Sequence, residues 1–299
     1  MKVSVIIPTY NAEIWLKRQL EVLLNQTVKP EIIVIDSGST DQTVPIAAAC
    51  SGQVRLLQIP YTSFDHGGTR DLGLRQSTGD IVLFLTQDAL PASERYIEKL
   101  IYPFEDQSVA AVFGRQIARK DAPLYEQLTR EFNYPNRFRS WEKKDIPRYG
   151  VKAYFFSNVC SAYRRDAYLA VGGFDNPILS NEDMMMAEKL LCAGFKLAYT
   201  PEAEVYHSHC YSLREEFLRN VRIGTVMEQY KDWLIGADAD AEGWKMVKAV
   251  GGELIRRGCV EQLLAFYTHA AFRLAGNRVG RIRGRRNRTD ETDSIALHI

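Results

Sequence analysis

The run IVLFL, Ile81 to Leu85, constrains the fold most, because no polar residue breaks it. A strand with one wet face alternates apolar and polar side chains, so an unbroken apolar run is covered on both faces. VSVIIP (Val3 to Pro8) and EIIVID (Glu31 to Asp36) repeat the pattern, and VRLLQI (Val54 to Ile59) is a weaker version. Helical stretches separate them. Ile14, Leu16, Leu20, Leu23 and Leu24 recur near helical spacing within Ala12 to Asn25. Thr40 to Cys50 and Thr69 to Gln76 also read as helices, the latter ended by Gly79. Continuous apolar strands alternating with helices predict an α/β fold with a mostly parallel sheet and flanking helices. Ligands in such sheets bind beyond the carboxyl ends of the strands. There the sequence sets Pro8-Thr9-Tyr10-Asn11, Asp36-Ser37 and Gln87-Asp88.

Beyond Ser93 the pattern loosens. Strands are expected over Val109 to Phe113, Tyr154 to Tyr163 and Lys196 to His207. Helices are expected over Tyr125 to Asn133 and over Asp183 to Ala193, the second capped by Gly194. NYPNRFRSWEKKDIPRYG between them reads as a loop over the site. From Leu213 the chain reads as all-helical, ending in the basic RVGRIRGRRNR and a polar TDETDS segment.

The 299 residues, 46% hydrophobic, suffice for one large domain or two smaller ones. A net charge of +1 argues against nucleic acid as a partner. Cys50, Cys160, Cys192, Cys210 and Cys259 are odd in number and lack CxxC spacing, which fits reduced thiols in a cytoplasmic protein and no zinc site. The N-terminal apolar run is too short for a signal peptide. No apolar run approaches the ~20 residues that cross a bilayer, so any membrane contact is peripheral.

There is no GxGxxG after the first strand and no GxxxxGK[ST], which disfavours dinucleotide and P-loop chemistry. VSVIIPTYN is followed by IIVIDSGSTDQT, a Gly-Thr-Arg helix start, a strand ending in an acid, VGGFD (Val171 to Asp175) and NEDMMMAEKLL (Asn181 to Leu191). In that order the chain resembles the family 2 glycosyltransferases over residues 1–210. The resemblance implies an inverting enzyme of Rossmann-like GT-A fold with a nucleotide-sugar donor. It divides the chain into a nucleotide-sugar half (1–105), an acceptor and catalytic half (106–210) and a helical C-terminal region with a basic tail (211–299).

The resemblance also implies roles. Asp36 would read a pyrimidine ring N–H, with Pro8, Thr9, Tyr10, Glu13 and Ser37 beside it. Asp88 would hold a divalent cation, Mg²⁺ or Mn²⁺, against the donor diphosphate. The family commonly has Asp-x-Asp or Asp-Asp here. This chain has Thr86-Gln87-Asp88, so another ligand is needed to complete the site. His207 and His209 in AEVYHSHCYS share a face on a strand, and His207 better matches the family's metal-reaching histidine. Asp183 matches the catalytic base and Glu182 its neighbour. A base must take the proton of the attacking hydroxyl.

FDHGGTRD (Phe64 to Asp71) resembles the rhamnosyltransferase branch, whose donor is dTDP-L-rhamnose. Arg70 would contact phosphate or ribose there, and His66 and Asp65 would bond donor hydroxyls. The implied function is transfer of L-rhamnose onto a glycan or lipid-linked saccharide in cell-surface polysaccharide synthesis. A UDP-hexose or UDP-N-acetylhexosamine donor is the alternative, since Asp36 does not separate thymine from uracil. A catalytically inactive sugar-nucleotide-binding protein is a further one, which the missing first acid permits and Glu182-Asp183 opposes. Leu263, Phe266, Tyr267, Ala270 and Leu274 fall near one helical face before the arginine-rich tail. That fits peripheral contact with anionic lipid at the inner face of the membrane. It fits a core-packing helix with a solvated basic end equally well.

Overall fold

The computed structural model describes residues 1–209, 211–234 and 239–296. Strands β1 (Val3–Thr9), β2 (Glu31–Asp36), β3 (Val54–Gln58), β4 (Ile81–Leu85), β5 (Leu90–Pro91), β6 (Val109–Ile117), β7 (Arg139–Trp141), β8 (Cys160–Arg164) and β9 (Lys196–Tyr206) form one sheet. Its order is β3-β2-β1-β4-β8-β6-β9-β5, with β7 paired to β9. The helices are α1 (Glu13–Leu24), α2 (Thr43–Ala48), α3 (His66–Gln76), α4 (Tyr96–Ile101), α5 (Leu124–Asn133), α6 (Ile146–Tyr149), α7 (Arg165–Ala170), α8 (Glu182–Cys192), α9 (Leu213–Gln229), α10 (Ala239–Arg256) and α11 (Val260–Ala296).

The parallel half of the expected sheet is β3-β2-β1-β4. Beyond it the sheet is mixed: β8 runs antiparallel to β4 and β6, and β6 and β9 are parallel again. The apolar runs are unbroken because their two parities feed two cores. Val5, Ile7, Ile32, Val34, Leu83 and Leu85 pack with Leu16 and Leu20 of α1 and Ile97 and Leu100 of α4. Ile6, Ile33, Ile35, Val82 and Phe84 pack with Leu74 of α3, Tyr168 of α7 and Met185 and Leu190 of α8. At Gly73, α3 lies so close to the sheet that a Cβ would collide with Ile6 and Ile35. Gly194, at φ +88°, closes α8: its N–H donates to Leu191 O and that of Phe195 to Leu190 O.

The C-terminal helices pack back on this body. Gly276, Gly280 and Gly284 of α11 are buried, and a Cβ at Gly280 would fall on the Val221 carbonyl oxygen of α9. The tail arginines are partly spent on internal pairs: Arg273 with Glu216 at 2.6 Å, Arg281 with Asp240 at 2.8 Å and Arg285 with Glu228 at 3.2 Å. Phe266 is buried with Leu128, Val250 and Leu254. Among the described residues no helix is long and apolar enough to cross a membrane.

Three segments depart from expectation. Helix α3 starts at His66, three residues early, because Asp65 Oδ1 accepts the N–H groups of Gly67 (2.9 Å) and Gly68 (2.7 Å) as an N-cap. The strand expected from Tyr154 begins only at Cys160; before it, Asn158 is committed to Glu182 and Asp183 and the chain turns. The stretch from Asn133 to Gly150 is not a loop over the site. It supplies β7, paired at Ser140 with Ala198 near the start of β9, and buries Trp141, whose indole N–H donates to Ala153 O at 2.8 Å. Cys210 and the side chains of Asn287, Arg288 and TDETDS lie outside the described residues.

Candidate active site

Helix α8 begins at Asn181, whose φ of +61° lies in the left-handed region that asparagine tolerates. The two carboxylates after it point inward. Glu182 Oε1 lies 3.2 Å from Arg70 Nη1 and accepts Asn158 Nδ2 at 3.1 Å. Asp183 Oδ2 accepts the main-chain N–H of Asn158 at 3.1 Å, and its Oδ1 that of Met184 at 2.8 Å. Burial opposes the Glu182 charge, but the Arg70 guanidinium above all, with the Asn158 amide, outweighs it and holds that carboxyl below its usual range. Burial and the Glu182 charge push Asp183 the other way, up to about 7. Two adjacent carboxyls are thus separated into a fixed anion and a group that exchanges a proton near neutrality.

Across the cavity, at the ends of β4 and β9, Asp88 Oδ2 lies 3.4 Å from His207 Nε2 and 3.5 Å from His209 Nδ1. One ligand atom from each of the three residues falls within a 4.8 Å span. Burial pushes both imidazoles toward neutrality, His209 down to about 3. For Asp88, burial acts upward while Thr86 and any proton held on His207 or His209 act downward, and the balance keeps the carboxyl ionised, below its usual range. His207 Nδ1 lies 2.9 Å from Gln116 Oε1. Gln116 is oriented independently: its Nε2 donates to Tyr134 Oη at 2.6 Å and Ser157 Oγ at 2.8 Å, and its Oε1 accepts from Arg130. His207 Nδ1 is therefore the donor, and neutral His207 turns the Nε2 lone pair toward the Asp88 carboxylate. Two acceptors facing each other fit a cation between them, and the donor set suits a divalent ion. Arg119 fixes the loop, donating from Nη2 to Asp88 O at 2.7 Å while its guanidinium sits 3.8 Å above the Trp15 ring.

One cavity of about 540 Å³ collects His66, Arg70, Asp88, Glu182, Asp183 and His207 from the sequence-derived set. His66 is kept neutral by burial, with Glu182 acting against the shift and Arg70 and Arg222 adding to it. Asp65 is spent on the α3 cap and on Ile178 N at 3.1 Å. Four contributors were not found from sequence: Asn158, Gln116, and Arg219 and Arg222 of α9, the two arginines lining the same cavity. Among the described residues neither arginine makes an ion pair. Their only signal was a spacing of three within a helix, which any solvated face shows. The cavity thus crosses the boundary at residue 210.

Pro8, Thr9, Tyr10, Glu13, Asp36, Ser37 and Gln87 are not in that lining. They lie at or just beyond the ends of β1, β2 and β4 and at the start of α1. Asp36 is fully buried and holds its own turn: Oδ2 accepts Gly38 N (3.1 Å) and Ser39 N (3.0 Å), and Oδ1 accepts Ser39 Oγ and Thr9 Oγ1. Ser37 Oγ is buried without a protein partner among the described residues. Gln87 clasps Tyr10, its Oε1 accepting Tyr10 N at 2.7 Å and its Nε2 donating to Tyr10 O at 3.1 Å. Half-buried Pro8 precedes them, and Glu13 Oε2 accepts Gln42 N at 3.0 Å. The Tyr10 and Tyr61 rings lie 4.9 Å apart.

The chain belongs to glycosyl transferase family 2, whose profile matches residues 4–172. It is 41% identical over 253 residues to the O-antigen chain rhamnosyltransferase RfbN of Salmonella typhimurium, covering 83% of this chain and 80% of that one. It is 38% identical over 252 residues to the O-antigen chain rhamnosyltransferase WbaN of Salmonella anatum, covering 82% and 79%. Its fold is similar to the mannosyltransferase PcManGT of Pyrobaculum calidifontis, solved with GDP-Man and Mn²⁺, at a TM-score of 0.63 and 20% identity over 94% of this chain and 87% of that one.

Proposed function

We propose that the chain transfers L-rhamnose from dTDP-L-rhamnose, with inversion at the anomeric carbon, to a saccharide acceptor in cell-surface polysaccharide synthesis. The observation that carries this reading is the 41% identity to an O-antigen chain rhamnosyltransferase across 83% of the chain. The acceptor hydroxyl oxygen bonds to the anomeric carbon as the bond from that carbon to the diphosphate oxygen breaks. The bonding pair leaves with the diphosphate, and the hydroxyl proton passes to Asp183. A β-linked L donor therefore yields an α-linked product. Asp183 suits the base because its proton affinity is raised toward neutrality. Glu182 does not, since Arg70 stabilises its ionised form.

Asp88, His207 and His209 would hold the cation, and two imidazoles beside one carboxylate favour Mn²⁺ over Mg²⁺. Bound there, it supplies positive charge to the diphosphate oxygens. Arg219 and Arg222, which line the same cavity, add further positive charge. Arg70 Nε, buried without a protein acceptor among the described residues, and neutral His66 face the donor sugar. Thr9, Tyr10, Glu13, Asp36 and Ser37 line the nucleotide end. The free thiols of Cys50, Cys160, Cys192 and Cys259 fit a reducing compartment, on which basis we place the reaction in the cytoplasm.

The test is a donor panel read by thermal shift and by nucleotide release, with and without Mn²⁺. dTDP-L-rhamnose should be preferred over UDP-glucose and UDP-N-acetylglucosamine. Equal use of all three would overturn the rhamnose assignment, and preference for a UDP-sugar would replace it.

A further inference from the structure

Helix α8 starts at Asn181 without a side-chain cap, so its first two carboxylates are aimed mainly by groups from outside the helix. Arg70 of α3 supplies one of those groups and Asn158 the others. Asn158 is buried just before β8. Its main-chain N–H donates to Asp183 Oδ2 and its side-chain Nδ2 to Glu182 Oε1, each at 3.1 Å. One residue therefore holds both the base and its neighbour.

The surroundings decide which way round the Asn158 amide lies. Glu182 is ionised and only accepts, so Nδ2 faces it. Oδ1 then accepts from Ser161 Oγ at 2.8 Å and from Tyr163 Oη at 2.9 Å. Burial above all, with the Asp183 and Glu182 charges, raises the Tyr163 hydroxyl well above its ordinary value, so it stays a donor. Both hydroxyls stand on β8, where Ser161 pairs with Phe84 and Tyr163 with Val82 of β4. The Tyr163 ring lies 5.5 Å from Phe84 and 5.8 Å from Phe174, which restricts it. A chain of bonds thus runs from the middle of the sheet through Asn158 to the two carboxylates. It treats them unequally. Glu182 receives the side-chain amide besides Arg70, and Asp183 receives only the main-chain N–H groups of Asn158 and Met184.

We infer that Asn158 is a positioning residue of the transfer reaction: its amide, oriented by Ser161 and Tyr163, pins Glu182 against Arg70 and leaves Asp183 to take the acceptor proton. This rests on the glycosyltransferase reading, in which Asp183 is the base. Asn158 also lines the reaction cavity, so a direct contact with the donor is the rival role. Tyr163 separates the two. Its hydroxyl bonds Asn158 but is not in the cavity lining, so it reaches the reaction only through Asn158.

The test measures dTDP release from dTDP-L-rhamnose by the full chain, with Mn²⁺ present and water as acceptor, and dTDP affinity by calorimetry. Asn158→Ala should lower kcat at least about tenfold, because a slightly misplaced reacting group costs that much or more. Tyr163→Phe keeps the ring and removes one hydroxyl, so kcat should fall about two- to tenfold, the worth of one hydrogen bond. In both variants dTDP affinity should stay within about twofold of the parent, on the same scale. The double variant should be no slower than Asn158→Ala, because residues that act through one another are not additive. Unchanged kcat in Asn158→Ala, multiplied losses in the double variant, or an equal loss of dTDP affinity overturns the inference. If Asn158→Ala does not fold, Tyr163→Phe decides alone: kcat falls with dTDP affinity kept, or the inference fails. If the parent uses a UDP-sugar instead, the same comparison is made with that donor and UDP. A parent that releases nucleotide from none of dTDP-L-rhamnose, UDP-glucose and UDP-N-acetylglucosamine overturns the enzyme reading and this inference with it. A working parent whose variants miss these outcomes overturns the inference alone.

Discussion

His207 Nε2 faces Asp88 Oδ2 across 3.4 Å while Gln116 holds His207 Nδ1 at 2.9 Å. The glutamine thereby aims a metal-competent lone pair at the carboxylate. Asp88→Ala should abolish activity and the Mn²⁺-dependent part of dTDP binding. Gln116→Ala should weaken Mn²⁺ about 10- to 100-fold, the usual worth of a partner behind a ligand. Manganese titration by electron paramagnetic resonance checks both. Unchanged Mn²⁺ affinity in both variants would remove the cation from this cluster.

The Arg70–Glu182 pair is buried on both sides, with side chains 6% and 8% exposed. Removing one partner strands the other, so Arg70→Met should cost about 3–5 kcal/mol. Urea unfolding measures it. A loss below about 1 kcal/mol would mean the pair is solvated in solution.

The pH dependence follows from Asp183. Its carboxyl is raised to about 7, and the base must be ionised, so kcat/KM should rise with pH through that region. Glu182→Gln removes a neighbouring negative charge that raises Asp183, so the rising limb should move to lower pH. The same shift bears on stability. A carboxyl raised by folding costs nothing below its unfolded value near 4, and its penalty grows until pH passes the folded value. Asp183→Asn should therefore be more stable than the parent above pH 7. A flat rate profile between pH 5 and 8 would exclude Asp183 as the titrating base.

Arg219 and Arg222 reach the cavity from α9 without ion-pair partners among the described residues. Arg219→Ala with Arg222→Ala should weaken dTDP binding at least about tenfold while leaving thymidine binding unchanged, because charge-assisted bonds to phosphate are the ones lost. Calorimetry with the two ligands separates the effects. An equal loss for both would assign the arginines to the base or the fold.

The first hundred residues were legible because unbroken apolar strands and their acidic ends follow from local pattern. Asp36 and Asp88 could be placed at such strand ends, whereas their roles and the Glu182-Asp183 pair at a helix start came only through the family resemblance. Asp65 shows the limit: its pattern fits a ligand contact and an N-cap equally well, and only the position of Gly67 and Gly68 decides. Asn158 and Gln116 were hidden because their roles arise from partners 24 and 91 residues away. The C-terminal tail left two readings open for a different reason. Its arginines dominate the sequence, yet its contact with α9 runs through Gly276, Gly280 and Gly284, which hydrophobic spacing does not register.

Asp183 is where the account stands or falls. Asp183→Asn keeps shape and removes basicity, leaving Asp88, His207 and His209 in place to bind donor. The decisive measurement is rhamnose transfer by this variant to a working acceptor, alongside its dTDP affinity. Transfer should fall about 10²- to 10⁴-fold with dTDP affinity nearly unchanged. Transfer at close to the parent rate would contradict the mechanism and leave Asp183 as a helix-start residue only.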